Sequence, residues 1–394
     1  MNYIIGTGNF GIIVREFLER NKITVSGFIE LNPSASNLLH DNLPIVPLQK
    51  INKNDVLFIG SNRYNHKWIQ REFSGIASLR FADKYLNVEE VENINFSPNL
   101  KWNIEKVEDQ MKYYSVIRRN FSDKKKDQLP ITLNSLDVVV TEKCTLKCVD
   151  CSNLMQYYER PKNADGVGMI ENLNKLLDAT YVNSLRFIGG EPLVNKSLAS
   201  ILDSVCSEWK DKFTAIEIYT NGTLLPSPDL ISVCKQNPVT FYISDYGSKS
   251  PRLEDVVSLL KENDIRFSVE SNLIWHDCGR VLPYYSENIE YKYANCCTAK
   301  TFSLLDDYLY SCPFSANFHN LYDDEKRTDR NCIFIPNLNK SQLTKRIRKM
   351  QLDESPLTAC YYCKGRDYST ELVEVAKQTK EILKRPLHVV NEYS

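Results

Sequence analysis

Short apolar runs alternate with segments of helical spacing along most of the chain. In the central part, the predicted strands cover residues 136–140, 185–188, 215–219, 239–243 and 265–269. Residues 169–177, 198–205 and 253–260 carry apolar positions at the spacing of amphipathic helices. Strands that alternate with helices form parallel sheets, and functional loops gather at the carboxyl ends of such strands. The pattern therefore predicts an α/β fold with a site at those ends.

A separate strand–turn–helix–strand pattern opens the chain. A predicted strand at residues 3–5 leads into a G-x-G-x-x-G turn, and the strand at 24–29 ends in an acid. This order is the fingerprint of a dinucleotide-binding fold, in which a diphosphate approaches a helix N-terminus. The candidate nucleotide-binding residues are Gly6, Gly8, Gly11 and Glu30. The alternative is a Rossmann-like unit whose glycines serve only to pack the strand against the helix.

Another apolar strand at residues 56–59 ends in the polar segment 60–63. With this strand, residues 1–95 are predicted to form one domain, and roughly residues 1–90 of it resemble the Rossmann-like domain of the sugar-nucleotide N-acetyltransferases. The resemblance implies binding of a nucleotide-sugar. No acyltransferase repeat follows, so acetyl transfer is not implied. Residues 96–132 lack a clear period and are predicted to be a linker.

Composition narrows the classes of function. The chain has 394 residues, 42% of them hydrophobic and 25% charged, which predicts two or three globular domains. A net charge of −1 argues against nucleic acid as a partner. The apolar runs fall far short of the ~20 residues that cross a bilayer, and no signal-peptide pattern opens the sequence. We therefore expect a cytoplasmic location, where the twelve cysteines serve as metal ligands rather than disulfides.

Three cysteines follow the predicted strand at 136–140 with the spacing C-x3-C-x2-C, namely Cys144, Cys148 and Cys151. Four cysteines normally saturate a 4Fe-4S cluster, so a set of three leaves one iron open. Zinc sites usually group their ligands as two C-x2-C pairs. The spacing by itself leaves both metals possible.

The motifs that follow resemble those of the radical S-adenosylmethionine (radical SAM) superfamily. A G-G-E-P turn follows the second strand, T-N-G follows the third, and a serine ends the fourth. The resemblance implies a partial (β/α)6 barrel over residues 133–285, a 4Fe-4S cluster on the three cysteines, and S-adenosylmethionine on the open iron. The residues implied to bind it are Gly189, Gly190, Glu191, Pro192, Thr220, Asn221 and Ser244. Asp150 departs from the aromatic residue usual before the third cysteine, so packing on the adenine must come from elsewhere.

A second group of cysteines lies within residues 286–370. It comprises Cys297, Cys312, Cys360 and Cys363, with Cys296 as the rival of Cys297. Four thiolates saturate a cluster, and the spacing resembles the twitch module, a shortened form of the SPASM domain. The resemblance implies a small α+β domain with an auxiliary 4Fe-4S cluster, and a structural zinc is the alternative. The spacing of apolar residues in 371–394 predicts a C-terminal helix.

The resemblance implies reductive cleavage of S-adenosylmethionine to a 5′-deoxyadenosyl radical, with a flavodoxin- or ferredoxin-type protein as the reductant. The first domain favours a sugar-like, nucleotide-activated substrate in polysaccharide or glycan-precursor biosynthesis, which undergoes oxidation, epimerisation or rearrangement. The alternatives are a peptide maturase and a non-catalytic scaffold with structural metal. His276 is predicted as a general base, and Tyr158 is predicted to face the substrate.

Overall fold

The computed structural model describes residues 1–6, 9–29, 39–40, 42–47, 50–60, 78–80, 86, 131–271, 273–283, 288–296, 298–322, 331–353, 355–366 and 370–386. The chain divides into two compact units, Met1–Leu129 and Pro130–Ser394. Most of the predicted linker lies outside the described residues, and its last residues belong to a strand. No helix in the described part of the chain has both the length and the apolar character that a membrane crossing requires.

The first unit contains a parallel sheet in the order β2-β1-β5-β6. Its described elements are β1 (Asn2–Ile5), α1 (Asn9–Arg20), β2 (Gly27–Ile29), β3 (Leu39–His40), β4 (Leu43–Pro44), β5 (Val56–Ile59) and β6 (Ser78–Arg80). Ile4, Phe28 and Leu57 are fully buried, which explains why these short apolar runs form neighbouring strands. The apolar face of α1 packs against them through Ile13 and Leu18.

Two glycines of the first unit permit a close approach between α1 and the sheet. A Cβ atom on Gly11 would lie 2.1 Å from the carbonyl oxygen of Gly6, and one on Gly60 would lie 2.6 Å from the Cα of Gly11. Gly6 itself has φ 103°, which favours glycine. Tight packing alone therefore accounts for Gly6 and Gly11, while Gly8 and Glu30 lie outside the described residues.

The second unit is built on one large sheet in the order β12-β11-β10-β9-β8-β14-β15-β16, with β7 also paired to β9. The strands are β7 (Ile131–Leu133), β8 (Leu136–Thr141), β9 (Thr180–Gly189), β10 (Phe213–Thr220), β11 (Val239–Ser244), β12 (Arg266–Glu270), β13 (Trp275–His276), β14 (Phe302–Leu305), β15 (Tyr308–Tyr310), β16 (Cys332–Phe334) and β17 (Leu372–Val373). The helices are α2 (Gly166–Ala179), α3 (Leu198–Trp209), α4 (Pro228–Gln236), α5 (Leu253–Glu262), α6 (Ile289–Asn295), α7 (Pro313–Tyr322) and α8 (Lys340–Leu352). β8 to β12 pair in parallel and in sequence order, as the pattern predicts.

Side chains alternate between the two faces of these parallel strands. Leu136, Val138 and Val140 of β8 belong to the apolar core formed with α2, α3, α4 and α5. The intervening residues line the opposite face, where Asp137 stands beside Arg186, and Arg186 beside Glu217. One face of the sheet is therefore an apolar core, and the other, the polar face, combines these charged residues with a smaller apolar cluster that includes Val139.

The arrangement of the last third differs from the expectation of a six-unit barrel followed by a separate small domain. The sixth parallel neighbour is β14, which pairs with β8 at the side opposite β12. The hairpin of β14 and β15, with β16, then continues the same sheet. All four residues of β14 are buried, so this apolar run covers the edge of β8 that would otherwise be open.

The predicted C-terminal helix is wrong. Residues 370–386 are not helical, and β17 pairs antiparallel with β13 instead. Ala376 is fully buried with φ 50°, a left-handed backbone conformation that interrupts any helix. The backbone on either side of Gln378 bonds to the loop of the first three cysteines. Pairing with residues distant in sequence has overridden the local helical pattern of Leu372, Val375, Ala376, Thr379 and Leu383.

Candidate metal centre

The loop after β8 brings three free thiols together. Cys148 is buried, while Cys144 and Cys151 are partly buried. Burial raises the pKa of Cys144 to about 12 and of Cys148 to about 11, and the neighbouring thiols add to both shifts. Burial also raises the pKa of Cys151. The three groups are neutral thiols without metal, so binding of a metal must release protons from them.

The G-G-E-P turn is joined directly to the beginning of this loop. The backbone N–H of Gly190 donates to the carbonyl of Thr141 at 2.9 Å, and that of Glu191 donates to the carbonyl of Lys143 at 2.8 Å. A Cβ atom on Gly190 would lie 2.2 Å from the oxygen of Lys143 and 2.8 Å from the Cβ of Cys144. Only glycine permits this approach, which brings the turn against the first cysteine.

Glu191 ties the ends of β9 and β10 together. Its carboxylate accepts from the hydroxyl of Thr220 at 2.9 Å, the N–H of Asn221 at 2.8 Å and the N–H of Leu193 at 3.1 Å. The side chain is fully buried, and burial raises its pKa to about 7 although the three donors oppose the shift. The predicted contact between Glu191 and the methionine ammonium stays a prediction. Adjacent Pro192 begins a short 3-10 turn that Glu191 caps.

Replacement of Glu191 by glutamine is expected to change how stability depends on pH. The folded pKa of about 7 exceeds the ordinary 4.5, so this group's contribution is complete below pH 4.5 and is lost as the pH rises through 7. The lost contribution approaches about 3 kcal/mol. Glutamine does not titrate, so the stability of Glu191→Gln does not fall in this pH range. Its NH2 group faces an N–H donor, however, which lowers the free energy of unfolding of the variant by about 1–3 kcal/mol at every pH.

Urea unfolding of the reduced apoprotein between pH 5 and 8 checks this expectation. The advantage of the wild type over Glu191→Gln should shrink with rising pH, whereas the exposed control Glu208→Gln should follow the wild type throughout. A constant difference between the wild type and Glu191→Gln across this range would contradict the expectation.

The turn after β10 also contacts the cysteine loop. The amide nitrogen of Asn221 donates to the Oγ1 of Thr145 at 3.1 Å and approaches the Sγ of Cys144 at 3.6 Å. The hydroxyls of Thr145 and Thr223 also form a hydrogen bond. The predicted T-N-G turn therefore lies beside the first cysteine and contributes an N–H group toward its sulfur.

Ser250 joins the turns after β10 and β11, and the sequence analysis did not identify it. Its hydroxyl donates to the carbonyl of Asn221 at 2.7 Å and accepts from the N–H of Tyr246 at 3.0 Å. Ser244 hydrogen-bonds the side chain of Tyr246, and burial and the three thiols raise the pKa of that tyrosine. Tyr246 also packs edge-on against Trp275, with ring centroids 5.8 Å apart. The side chain of Tyr246, in the turn after the fourth parallel strand β11, thus lies near the three thiols.

Asp150 has a definite partner in the structure. Its carboxylate is buried and forms an ion pair with Arg280. A Cβ atom on Gly279 would lie 2.1 Å from the carbonyl oxygen of Asp150, so the segment of Arg280 packs directly against the cysteine loop. Asp150 therefore anchors the loop where the related motif usually has an aromatic residue.

The second group of thiols lines a common pocket. Its cysteines are Cys296, Cys312, Cys360 and Cys363. Burial raises the pKa of Cys360 to about 12 and that of Cys312 to about 11, with Cys296 adding to both shifts. Cys297, predicted as a ligand, lies outside the described residues, and its rival Cys296 lies among the other three. Lys292 also lines the pocket, and its ammonium group donates to the carbonyl of Cys363 at 2.7 Å.

One apolar cluster contacts both groups of thiols. Its buried members include Met155, Tyr157, Tyr158, Phe314 and Phe318, and Cys151, Cys312 and Cys363 pack within or against it. Arg366 lines the second pocket and donates to the carbonyl of Ser152 at 3.2 Å, one residue beyond Cys151. Both groups of thiols therefore contact the same largely aromatic cluster.

The structure holds the two predicted catalytic residues in other contacts. The Nδ1 atom of His276 lies 2.9 Å from the carbonyl oxygen of Thr370, within the pairing of β13 and β17. The hydroxyl of Tyr158 is buried, donates to Asn317 and accepts from Asn320. Burial raises the pKa of Tyr158, so its proton is tightly held. Their roles in catalysis stay predictions.

The donor set fits an iron–sulfur cluster. Among the described residues, no three His, Cys, Asp or Glu side chains converge on a point that a single metal ion could occupy. A cluster binds its thiolates through different irons. The three thiols of the first loop match the ligand type of such a cluster. Amide N–H groups lie near the sulfurs of Cys144 and Cys148, and Gly190 packs beside Cys144.

Comparison with known proteins agrees with this donor set. Residues 136–236 match the family described as the 4Fe-4S single cluster domain. The GTP 3′,8-cyclase of Clostridium acetobutylicum is 31% identical over 94 residues, which are 24% of this chain and 29% of that protein. That of Desulforamulus reducens is 26% identical over 147 residues, 36% of this chain and 43% of that protein. The matched segment spans less than half the length of these relatives.

Two solved structures show a partial likeness. Native anSMEcpe with bound AdoMet and Cp18Cys peptide has a TM-score of 0.39 and 13% identity, covering 59% of this chain and 86% of its own. BtrN in complex with AdoMet and 2-DOIA has a TM-score of 0.35 and 15% identity, covering 64% of this chain and 97% of its own.

Residues 136–236 therefore form an iron–sulfur domain that binds a 4Fe-4S cluster. Its cofactors are a 4Fe-4S cluster and S-adenosylmethionine, as in the radical SAM enzymes that this segment resembles. The sequence prediction of these cofactors is confirmed. The ligands of each cluster and the substrate belong to the proposals below.

Proposed function

We propose that the protein is a radical SAM enzyme that abstracts hydrogen from a sugar-like, nucleotide-activated substrate. The observation that carries this proposal is the direct contact of the three-cysteine loop with the turns after β9 and β10. When bound, the cluster and S-adenosylmethionine supply the one-electron chemistry. The residues of this chain hold the ligands in place, orient the substrate and exclude water.

The polar face of the sheet supports a hydroxyl-rich substrate. Register places Asp137, Arg186 and Glu217 in one row across β8, β9 and β10. The next row toward the thiols contains the stacked pair Tyr219 and Tyr242, whose ring centroids are 4.9 Å apart. Carboxylates, a guanidinium and phenol groups together suit a ligand with several hydroxyl groups. Asp137 pairs with Arg186, and the hydroxyl of Tyr219 donates to the carboxylate of Glu217, so these groups are already held in place for such a ligand.

Two further observations favour a nucleotide in the substrate. The similar curated proteins are named for a reaction on GTP, which is itself a nucleotide. The first unit contains a parallel sheet with a glycine turn before α1, the kind of element that accepts diphosphates. Because Gly6 and Gly11 also serve tight packing, a direct binding measurement must decide the role of this unit.

The second pocket supports an oxidation with an auxiliary 4Fe-4S cluster. Four thiols saturate such a cluster and leave no iron open. The buried ammonium group of Lys292 beside Cys363 places a positive charge there, which favours acceptance of an electron. The aromatic cluster that contacts both groups of thiols would limit the access of water to them. A flavodoxin- or ferredoxin-type protein would supply the first electron.

Anaerobic reconstitution followed by a substrate screen tests this proposal. With dithionite present, we expect 5′-deoxyadenosine to form. Its yield should rise at least about tenfold with one nucleotide-sugar of the UDP, dTDP, GDP and CDP series. Short peptides serve as the comparison set. Stimulation by peptides alone would instead support a peptide maturase, and a protein that never releases deoxyadenosine would contradict the whole proposal.

A further inference from the structure

The segment of residues 374–379, here called the clamp segment, crosses the cysteine loop beside Cys148. The backbone N–H of Val149 donates to the carbonyl of Lys377 at 2.7 Å, and that of Thr379 donates to the carbonyl of Lys147 at 2.8 Å. These two bonds flank an antiparallel bridge between Cys148 and Gln378. The middle ligand of the first group is therefore held by residues more than 200 positions later in the chain.

The side chain of Gln378 makes the third connection. Its Oε1 accepts from the backbone N–H of Lys147 at 2.7 Å. Its Nε2 donates to the Sγ of Cys148 at 3.2 Å and to the carbonyl of Ala376 at 2.7 Å. A flipped amide would turn NH2 toward the N–H of Lys147 and oxygen toward the carbonyl of Ala376. Both contacts would then be repulsive, so the pattern of partners fixes an N–H group on the sulfur.

Contacts at both ends of the clamp segment keep it in position. On one side, β17 pairs with β13 and Ala376 is fully buried. On the other, the backbone N–H of Leu383 donates to the carbonyl of Gln156 at 2.9 Å. Glu374 also lies 4.0 Å from the ammonium group of Lys249, in the turn after β11. The segment thus spans the loops of the first and fourth parallel strands.

We propose that Gln378 is a positioning residue whose amide hydrogen bond to Cys148 sets the reduction potential of the first cluster. The inference rests on the proposed binding of that cluster by Cys144, Cys148 and Cys151. Reduction adds negative charge to the cluster and its sulfurs, which strengthens a hydrogen bond donated to them. The Gln378 amide therefore stabilises the reduced state more than the oxidised state and raises the potential.

Two variants test the hydrogen bond. Gln378→Glu keeps the acceptor for Lys147 but replaces the donor by a negative charge, and Gln378→Leu removes both groups. Gln378 is exposed, so neither change removes a core contact. We expect reduction to become at least about tenfold less favourable in both, equivalent to 59 mV for a one-electron couple. The measurement is a potentiometric titration followed by electron paramagnetic resonance, using the signal that S-adenosylmethionine alters.

Gln342→Glu is the matched control, because it makes the same chemical change in the capping box of α8 and keeps its acceptor there. Its potential should equal that of the wild type. Loss of iron from a folded Gln378 variant would also favour a positioning role, since Cys148 would have lost the hydrogen bond that holds its sulfur. Full iron content with an unchanged potential in both Gln378 variants would overturn the inference. A wild type that binds no cluster on the first loop would instead refute the proposed function.

Discussion

Replacement of Cys148 by alanine is expected to abolish cleavage of S-adenosylmethionine, with a rate below about a thousandth of the wild type. The same change should remove about four irons per chain, because two remaining thiolates cannot hold the cluster. The loop has only three thiols for four irons, because the fourth iron binds the cofactor. No spare thiol is therefore present to replace Cys148. Iron analysis and chromatography of deoxyadenosine provide the two measurements.

Cys234 provides the control for this change. Its thiol is buried in α4 and belongs to the apolar core of the second unit. Cys234→Ala should retain the full iron content and the full rate, at a modest cost in stability. Retention of iron and of cleavage by Cys148→Ala would refute the assignment of the three-cysteine loop as the cluster site.

Replacement of Cys363 by alanine is expected to separate the two clusters. The iron content should fall from about eight to about four per chain, because only the second set of thiolates is broken. Cleavage of S-adenosylmethionine should continue, while formation of an oxidised product should fall at least about a hundredfold for want of an electron acceptor. Cys206→Ala, which alters a buried thiol of α3, should leave both properties unchanged.

The same measurements decide between Cys296 and Cys297. The thiol of Cys296 lines the pocket with the other three, so Cys296→Ala should behave like Cys363→Ala and Cys297→Ala like the wild type. The reverse result would restore the original assignment of Cys297. Eight irons retained in Cys363→Ala would refute the auxiliary cluster itself.

The sequence predicts the parallel strands and their motifs well because both are local features. Recurring apolar positions define β8 to β12, and each motif follows its strand within a few residues. Contacts over long separations were not predictable in this way. Asp150 forms an ion pair with Arg280, and Cys148 accepts a hydrogen bond from Gln378. No sequence pattern around Arg280 or Gln378 indicates these contacts. Cys296 and Cys297 are adjacent in sequence, so spacing alone could not separate them.

The C-terminal region shows how a local pattern misleads. Leu372, Val375 and Leu383 have helical spacing, and no proline or glycine interrupts them. In the structure, the hydrogen bonds of this backbone go to β13 and to the cysteine loop. A chain segment follows its helical propensity only when no better set of partners lies within reach, and here the loop supplies that set.

The position of β14 has a consequence for how the two thiol groups move. Cys144 follows β8 and Cys312 follows β15. Because β14 pairs with both strands, backbone hydrogen bonds of one sheet connect the strands that lead into the two groups of thiols. Clusters bound by the two groups would then be supported by one continuous sheet, so electron transfer between them would not require a separate module to dock. Truncation after α5 would leave β8 with a bare edge, which invites aggregation. The two halves of the second unit thus depend on one shared sheet.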